Sequence, residues 1–378
     1  MFNYAKAGNK AGEAEWDFLW WQWGLNEIHP WQYRVMDAVE KYAILGEMNA
    51  QVQQADIIVM GMVHTPAALS VFYAMKDAYP DKPILMEIDD NILSTPEYNP
   101  AANFYGPDSD YRKIAIDQMR ASDGVICSTP YLAELYAEFN PHTYTVPNAI
   151  DFDLWGKVQG KRKGGIRIGW AGGASHNNDL ETVLPAVKNI LKDYKDVRFV
   201  LVHGIPESFK GIPGVECFYK WSRIDKYPQT LAGLDFDIGI APLVDNAFNR
   251  GKSNLRWLEY SALGIPTVAS KVGHFAETLN HGVDGYLCDS KEDFELALRE
   301  LIEDRSLRKA IGARAKDRVL RDFNVDCVAK DYHAILKEAV GRGAVSKAPE
   351  PVAVKDLTTA ARFVGVPMKE GEDEPQSA

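Results

Sequence analysis

The chain has 378 residues, enough for two α/β domains of ordinary size. Its content of 46% hydrophobic and 25% charged residues excludes a low-complexity or wholly disordered protein. A net charge of −11 and a sequence pI near 5.3 argue against a partner held through nonspecific basic surface, whether nucleic acid or an anionic membrane.

Residues 1–50 read as helical and rich in tryptophan, with Trp16, Trp20 and Trp23 at i, i+4, i+7 spacing and Trp21 and Trp31 nearby. Such rings either pack onto the first domain or form a partner or oligomer contact. From residue 55 strands and helices alternate. Strands are expected at 55–63, 83–89, 123–128 and 143–147, with helices at 66–79, 109–121 and 130–139 between them. The run 146–165, polar and rich in Gly and Lys, reads as an interdomain linker, and Lys161, Arg162 and Lys163 as its solvated basic patch.

A second alternating series begins with a strand at 166–173 and a helix at 179–193. Strands follow at 197–204, 215–220 and 235–243, with a helix at 225–233. Residues 286–290 form a further strand, and three helices run to about 340. Alternation of this kind implies parallel, doubly wound sheets. The expected organisation is a first domain over 51–155 with segment 1–50 attached and a second over 156–325. A helix at 326–341 returns toward the first domain, and the tail 342–378 is disordered. Cys127, Cys217, Cys288 and Cys327 form no CxxC pair, and no apolar run approaches the ~20 residues of a membrane span. Without an opening signal peptide, the expected setting is cytoplasmic, with Cys127 and Cys217 as buried free thiols.

Five stretches carry candidate chemistry. GWAGGASHNNDL, 169–180, ends a strand in a glycine turn. Gly172 and Gly173 allow close backbone approach to a ligand there, with His176 on the loop and Asp179 at the helix start. MEIDDN, 86–91, places two acids beyond a parallel strand. Side-chain alternation on extended backbone predicts that only one of Asp89 and Asp90 faces a site. His64 follows the first strand, where it could act as an acid, a base or a substrate contact. In VPNAID, 146–151, Asn148 suits a hinge.

The fifth stretch, 245–269, reads as a polar loop, an amphipathic helix and a buried strand. The helix is expected from Lys252 or Ser253, with Ser253 or Asn254 as N-cap, Leu255, Leu258 and Leu263 as its apolar face, and Gly264 as its stop. Lys252 and Glu259, seven residues apart, lie about 10 Å apart along one side. A cation at a helix N-terminus suits a phosphate, and a carboxylate two turns on suits a ribose.

In combination, VPNAID, GWAGG, DIGIAPL, KSNLRWLEYSALGIPTVAS and GVDGYLCD resemble the retaining glycosyltransferases of the two-domain GT-B fold, in the family 4 or group 1 class. The resemblance spans roughly 120–340. It implies two Rossmann-like doubly wound domains facing across a cleft, the second binding a UDP- or GDP-sugar. By that likeness Gly172 and Gly173 lie against the diphosphate or sugar, with His176 beside them. Lys252, with Arg250, neutralises the phosphates next to Asn249 and Ser253, Glu259 binds the ribose, and Trp221 contacts the base. It also implies transfer with retention and without a required metal or cofactor, onto a glycan, lipid-linked or other hydroxyl acceptor.

Two departures stand out. The acid that the family places eight residues before the ribose-binding Glu is here Gly251, with Asp245 or Asn249 as possible substitutes. The first domain lacks the usual glycine-rich loop, so His64 and Asp89 are read as catalytic from position alone. Competing readings are a non-catalytic nucleotide-sugar or glycan-binding protein, an epimerase or phosphorylase on the same fold, and a transferase acting on a nucleic-acid base, which the acidic balance disfavours.

Overall fold

The computed structural model describes residues 52–345, apart from 159, 161–163, 174–175, 203, 220–221 and 224. The expectations for the Trp-rich segment 1–50, the basic run 161–163, Trp221 and the tail beyond 345 lie outside the described residues.

Strands β1 (Ile58–Gly61), β2 (Ile84–Ile88), β3 (Gly124–Cys127) and β4 (Thr143–Thr145) form a parallel sheet in the order β1-β2-β3-β4. A second parallel sheet holds β5 (Ile166–Ala171), β6 (Val197–Val202), β7 (Val215–Phe218), β8 (Ile238–Ala241), β9 (Thr267–Ser270) and β10 (Tyr286–Cys288). Its order is β10-β9-β8-β5-β6-β7. The chain therefore builds outward from β5 in one direction, then returns to β8 and builds outward in the other. Ligands of doubly wound sheets bind outside the strand C-termini where that reversal occurs, which here is between β5 and β8.

Alternation along each strand feeds two cores, one on each face of the second sheet. Ile168, Trp170, Phe199 and Leu201 pack on one face; Val200 and Val202 pack with Trp257, Leu258 and Tyr260 on the other. Two glycines admit aromatic rings to the second face. A Cβ on Gly169 would lie 2.1 Å from Phe236, and one on Gly239 would lie 2.3 Å from Tyr260.

The helix Val325–Arg342 lies against the first sheet, where Val328, Ala329, Tyr332 and Leu336 share a core with Leu85, Ile126 and Val146. The two chain crossings between domains run side by side. The Ile150 N–H donates to the Phe323 carbonyl at 2.8 Å, and the Val325 N–H donates to the Ile150 carbonyl at 3.0 Å. We propose on this basis a division into 51–155 and 156–325, with the last helix belonging to the first unit.

Several local expectations change. The supposed linker contains a short helix, Phe152–Trp155, whose Trp155 is buried edge-on against Tyr227 with ring centroids 5.9 Å apart. The first part of that run is therefore packed structure. Cys127 and Cys288 are buried, but Cys217 is only half-buried. No helix among the described residues is long and apolar enough to cross a membrane.

Candidate active site in the cleft between the sheets

The helix expected from Lys252 or Ser253 runs from Leu255 to Ala262, later than the sequence suggested. Asn254 occupies its N-cap, but its side chain turns away to donate to Thr278 Oγ1 at 3.3 Å. Trp257, Leu258, Tyr260 and Ala262 form the buried face, while Leu255, expected in that face, is exposed and lines the cleft. Burying Trp257 and Tyr260 leaves the turn positions 252, 255, 256 and 259 facing outward. The stop is as read: Gly264 has φ +70°, and the Ile265 N–H returns to the Tyr260 carbonyl at 2.9 Å. Tyr260 also fixes the helix to the end of β5, its hydroxyl accepting the Ala171 N–H at 2.9 Å.

At the reversal point lies a cleft of about 260 Å³, lined by Ala241, Pro242 and Leu243 after β8, by His176 after β5, and by Lys252, Ser253, Arg256 and Glu259. Asn148, Asp89 and Asp90 close it from the first-domain side. Lys252 Nζ lies 2.6 Å from Asp90 Oδ1 and 4.4 Å from the centre of the Phe248 ring. Arg256 lies over the Trp170 ring at 5.2 Å. Among the described residues it meets no carboxylate within ion-pair distance, so one of the two cleft cations is already paired and the other is not.

Gly172 makes room for that guanidinium. A Cβ there would lie 2.8 Å from both Arg256 terminal nitrogens and 2.5 Å from Trp170 Cζ2. We expect Gly172→Ala to displace Arg256 and weaken binding of an anionic ligand in the cleft about five- to a hundredfold, from about 1–3 kcal/mol of overpacking. Titration calorimetry of the variant checks this, and unaltered affinity would remove the glycine from the site.

Burial raises the Glu259 carboxyl to about 7, opposed by the Arg256 charge and by the Tyr227 hydroxyl, which donates to Oε2 at 3.2 Å. Enclosure by the cleft walls holds Asp89 above the usual carboxylate range; neighbouring Asp90 adds to the effect and Lys252 opposes it. Burial lowers His176, although Asp179 Oδ2 lies 2.7 Å from its Nδ1 and favours the charged form. Asp179 is itself buried and organises the site floor, accepting from the Val244 N–H at 2.8 Å and from Asn249 Nδ2 at 2.7 Å.

The structure thus brings Asp89, His176, Lys252, Ser253 and Glu259 to one cleft, with Gly172 behind them. Ser253 accepts from the hinge Asn148 amide at 2.8 Å. Gly173 holds the turn, its carbonyl accepting from the His176 N–H at 3.1 Å. Three expectations are corrected. Arg250 does not reach the cleft; it makes an exposed pair with Asp245, Nε to Oδ1 at 2.7 Å. Asn249 is buried, with its amide spent on Asp179 and on the Val244 carbonyl. Both Asp89 and Asp90 face the cleft, because β2 ends at Ile88 and strand alternation stops with it.

Neither Asp245 nor Asn249, the suggested stand-ins for the missing acid, lines the cleft. Gly251 itself is covered by the first domain, where a Cβ would lie 2.9 Å from Leu132 Cδ2 and 3.2 Å from Asn91 Cβ. His64 stands apart from the cleft lining, its Nδ1 3.1 Å from the Tyr105 hydroxyl. Sequence reading missed Arg256 and the role of Asp90. The first was signalled by the i, i+4, i+7 spacing of Lys252, Arg256 and Glu259; the second had no local signal. Among the described residues no group of three or more His, Cys, Asp or Glu is arranged to hold a metal ion.

Residues 185–334 match the family model described as glycosyl transferase-like. Over 85 residues, 22% of this chain and 22% of the relative, the sequence is 31% identical to N-acetyl-alpha-D-glucosaminyl L-malate synthase of Bacillus anthracis. It is 24% identical over 192 residues to an uncharacterized glycosyltransferase of Methanocaldococcus jannaschii, covering 49% of this chain and 48% of that one. The chain therefore spans less than half the length of these curated relatives. Among solved structures, Anabaena HepE in complex with UDP and glucose aligns with a TM-score of 0.55 and 18% identity, covering 80% of this chain and 83% of that one. The fold is that of the GT-B glycosyltransferases, and the group 1 resemblance in the second domain holds.

Proposed function

We propose that the chain is a glycosyltransferase that moves a sugar from a nucleoside-diphosphate sugar to a hydroxyl acceptor, with retention and without a required metal. The observation that carries this reading is the helix Leu255–Ala262 and the turn before it at the sheet's reversal point, which together present Lys252, Arg256 and Glu259 to one cleft. Two cations near a helix start match the charge of a diphosphate, and a carboxylate further along accepts from the two ribose hydroxyls. UDP is the favoured nucleotide because the structurally similar HepE is described with UDP and glucose.

In this reading the acceptor oxygen attacks the anomeric carbon as the bond to the leaving phosphate oxygen breaks. The acceptor proton passes to that departing oxygen, on the same face of the sugar. Charge builds on the diphosphate during this step, and Lys252 and Arg256 stabilise it electrostatically. Asp89, facing them across the cleft, orients the acceptor hydroxyl. A panel of UDP- and GDP-sugars tested by thermal shift and donor hydrolysis decides the matter. A shift of several degrees with at least one donor is expected, and no shift with any of them would overturn the reading.

Asp90 pairs with Lys252 at the cleft wall, so a diphosphate that takes Lys252 must displace it. Asp90→Asn is therefore expected to tighten UDP binding about three- to tenfold, by removing about 1 kcal/mol of competing interaction. Calorimetry on the variant checks this; weaker binding would mean that Asp90 positions Lys252 for the ligand.

A further inference from the structure

The segment between β2 and β3, which includes the helices Ala102–Tyr105 and Asp110–Ala121, carries a second feature. Tyr98, Phe104 and Tyr111 are 42%, 49% and 38% exposed, unusual for large rings grouped beside a polar cleft. Phe104 and Tyr111 pack edge to face at 5.4 Å, and His64 lies 6.5 Å from Tyr111. Behind them the Tyr105 hydroxyl meets His64 Nδ1. Burial raises Tyr105 to about 12, with the charges of Asp90 and Asp89 adding to the effect, so this hydroxyl lies within the field of the cleft acids. Tyr98 reaches the other domain, its hydroxyl accepting from Asn246 Nδ2 at 3.1 Å. His64 follows β1 and Asp89 and Asp90 follow β2, neighbouring parallel strands in which Gly61 pairs with Glu87, so the rings grouped around His64 lie on the same strand-end edge as the cleft acids.

Resting on the glycosyltransferase reading, we propose that this aromatic shelf is the acceptor subsite and that it takes a neutral sugar ring. A pyranose has apolar C–H faces and a rim of hydroxyls. Exposed rings suit the faces; the hydroxyl and imidazole of Tyr105 and His64, with the carboxylates of Asp89 and Asp90, suit the rim. Those two carboxylates disfavour a phosphorylated or nucleic-acid acceptor. The shelf also gives His64, which stands away from the donor pocket, a place at the acceptor.

The test uses the full chain with UDP present. Methyl glycosides of glucose, galactose, mannose and N-acetylglucosamine, and the disaccharides cellobiose and maltose, are followed by saturation-transfer NMR. Saturation of ring C–H protons is expected with at least one of them. The Phe104→Ala and Tyr111→Ala double variant should weaken it about tenfold and leave UDP binding unchanged. No saturation with any sugar, or equal saturation in the variant, would overturn the proposal. So would binding of phosphatidylcholine vesicles that the variant abolishes while no sugar binds, since this would assign the rings to a lipid surface. Failure of UDP itself to bind sinks the donor reading, whereas UDP binding without sugar binding sinks only the acceptor assignment.

Discussion

Lys252→Ala is expected to lower turnover of the preferred nucleotide sugar about 10²- to 10³-fold, the effect of removing one preorganised charge from a developing anion. The same change should weaken binding of the nucleotide sugar by less, because its ground-state diphosphate carries less charge at the bond that breaks. Lys252 is half-buried and its Asp90 partner is open to solvent, so the fold should survive, with a melting temperature within a few degrees of wild type. Arg256→Ala should act in the same direction, and more strongly on binding, since no carboxylate among the described residues shares that guanidinium. Lys252 and Arg256 face one cleft and one charge, so the double variant should fall short of the product of the single effects. Wild-type turnover in Lys252→Ala, measured beside a circular dichroism spectrum, would remove this helix from the donor site.

Glu259→Gln should abolish a pH dependence that the wild type shows. The wild-type carboxyl titrates at about 7 when folded, against an ordinary 4.5. A raised folded value means that the folded state holds a proton the unfolded chain has released. Its contribution is thus full below about 4.5 and is lost as pH rises toward 7. At roughly 1.4 kcal/mol per pKa unit the loss is about 3 kcal/mol, and it is absent in the Gln variant.

Ligand binding should run the other way. Ribose hydroxyls donate to the ionised carboxylate and lower its pKa, so nucleotide-sugar affinity should climb, by up to tenfold per pH unit, until pH passes about 7. A nucleotide sugar is the suitable probe, since its diphosphate has no proton to lose in this range. Calorimetry between pH 5.5 and 8.5, values bracketing the raised pKa, should show this rise in the wild type and a flat, weak response in Glu259→Gln. A flat wild-type profile would mean that Glu259 does not hold the ribose.

Much of the fold was legible because it is written locally. Alternating apolar runs and helical periods located the ten strands among the described residues and the longer helices, and Gly264 and Pro266 marked where one helix ends and β9 begins. Errors fell where local pattern and tertiary packing disagree. Leu255 looked like core by spacing, but the bulk of Trp257 and Tyr260 turned the neighbouring face inward. Alternation excluded one of Asp89 and Asp90, but the strand had already ended. Arg250 seemed as good a phosphate ligand as any cation near the motif, until Asp245, five residues earlier, paired with it.

The sequence by itself determined two parallel α/β units, the helix after Lys252 and the Lys252–Glu259 spacing, because all three depend on residues close in the chain; the reversal expected of both sheets occurs only in the second. Only the tertiary structure decided which charges share the cleft. Asp90 meets Lys252 across 162 positions, and Arg256 finds its place because Gly172, on another strand's turn, leaves room for it. Gly251 is covered by Leu132 and Asn91 of the opposite domain. Contacts of that kind depend on how two sheets face each other, and no periodicity within either one encodes them.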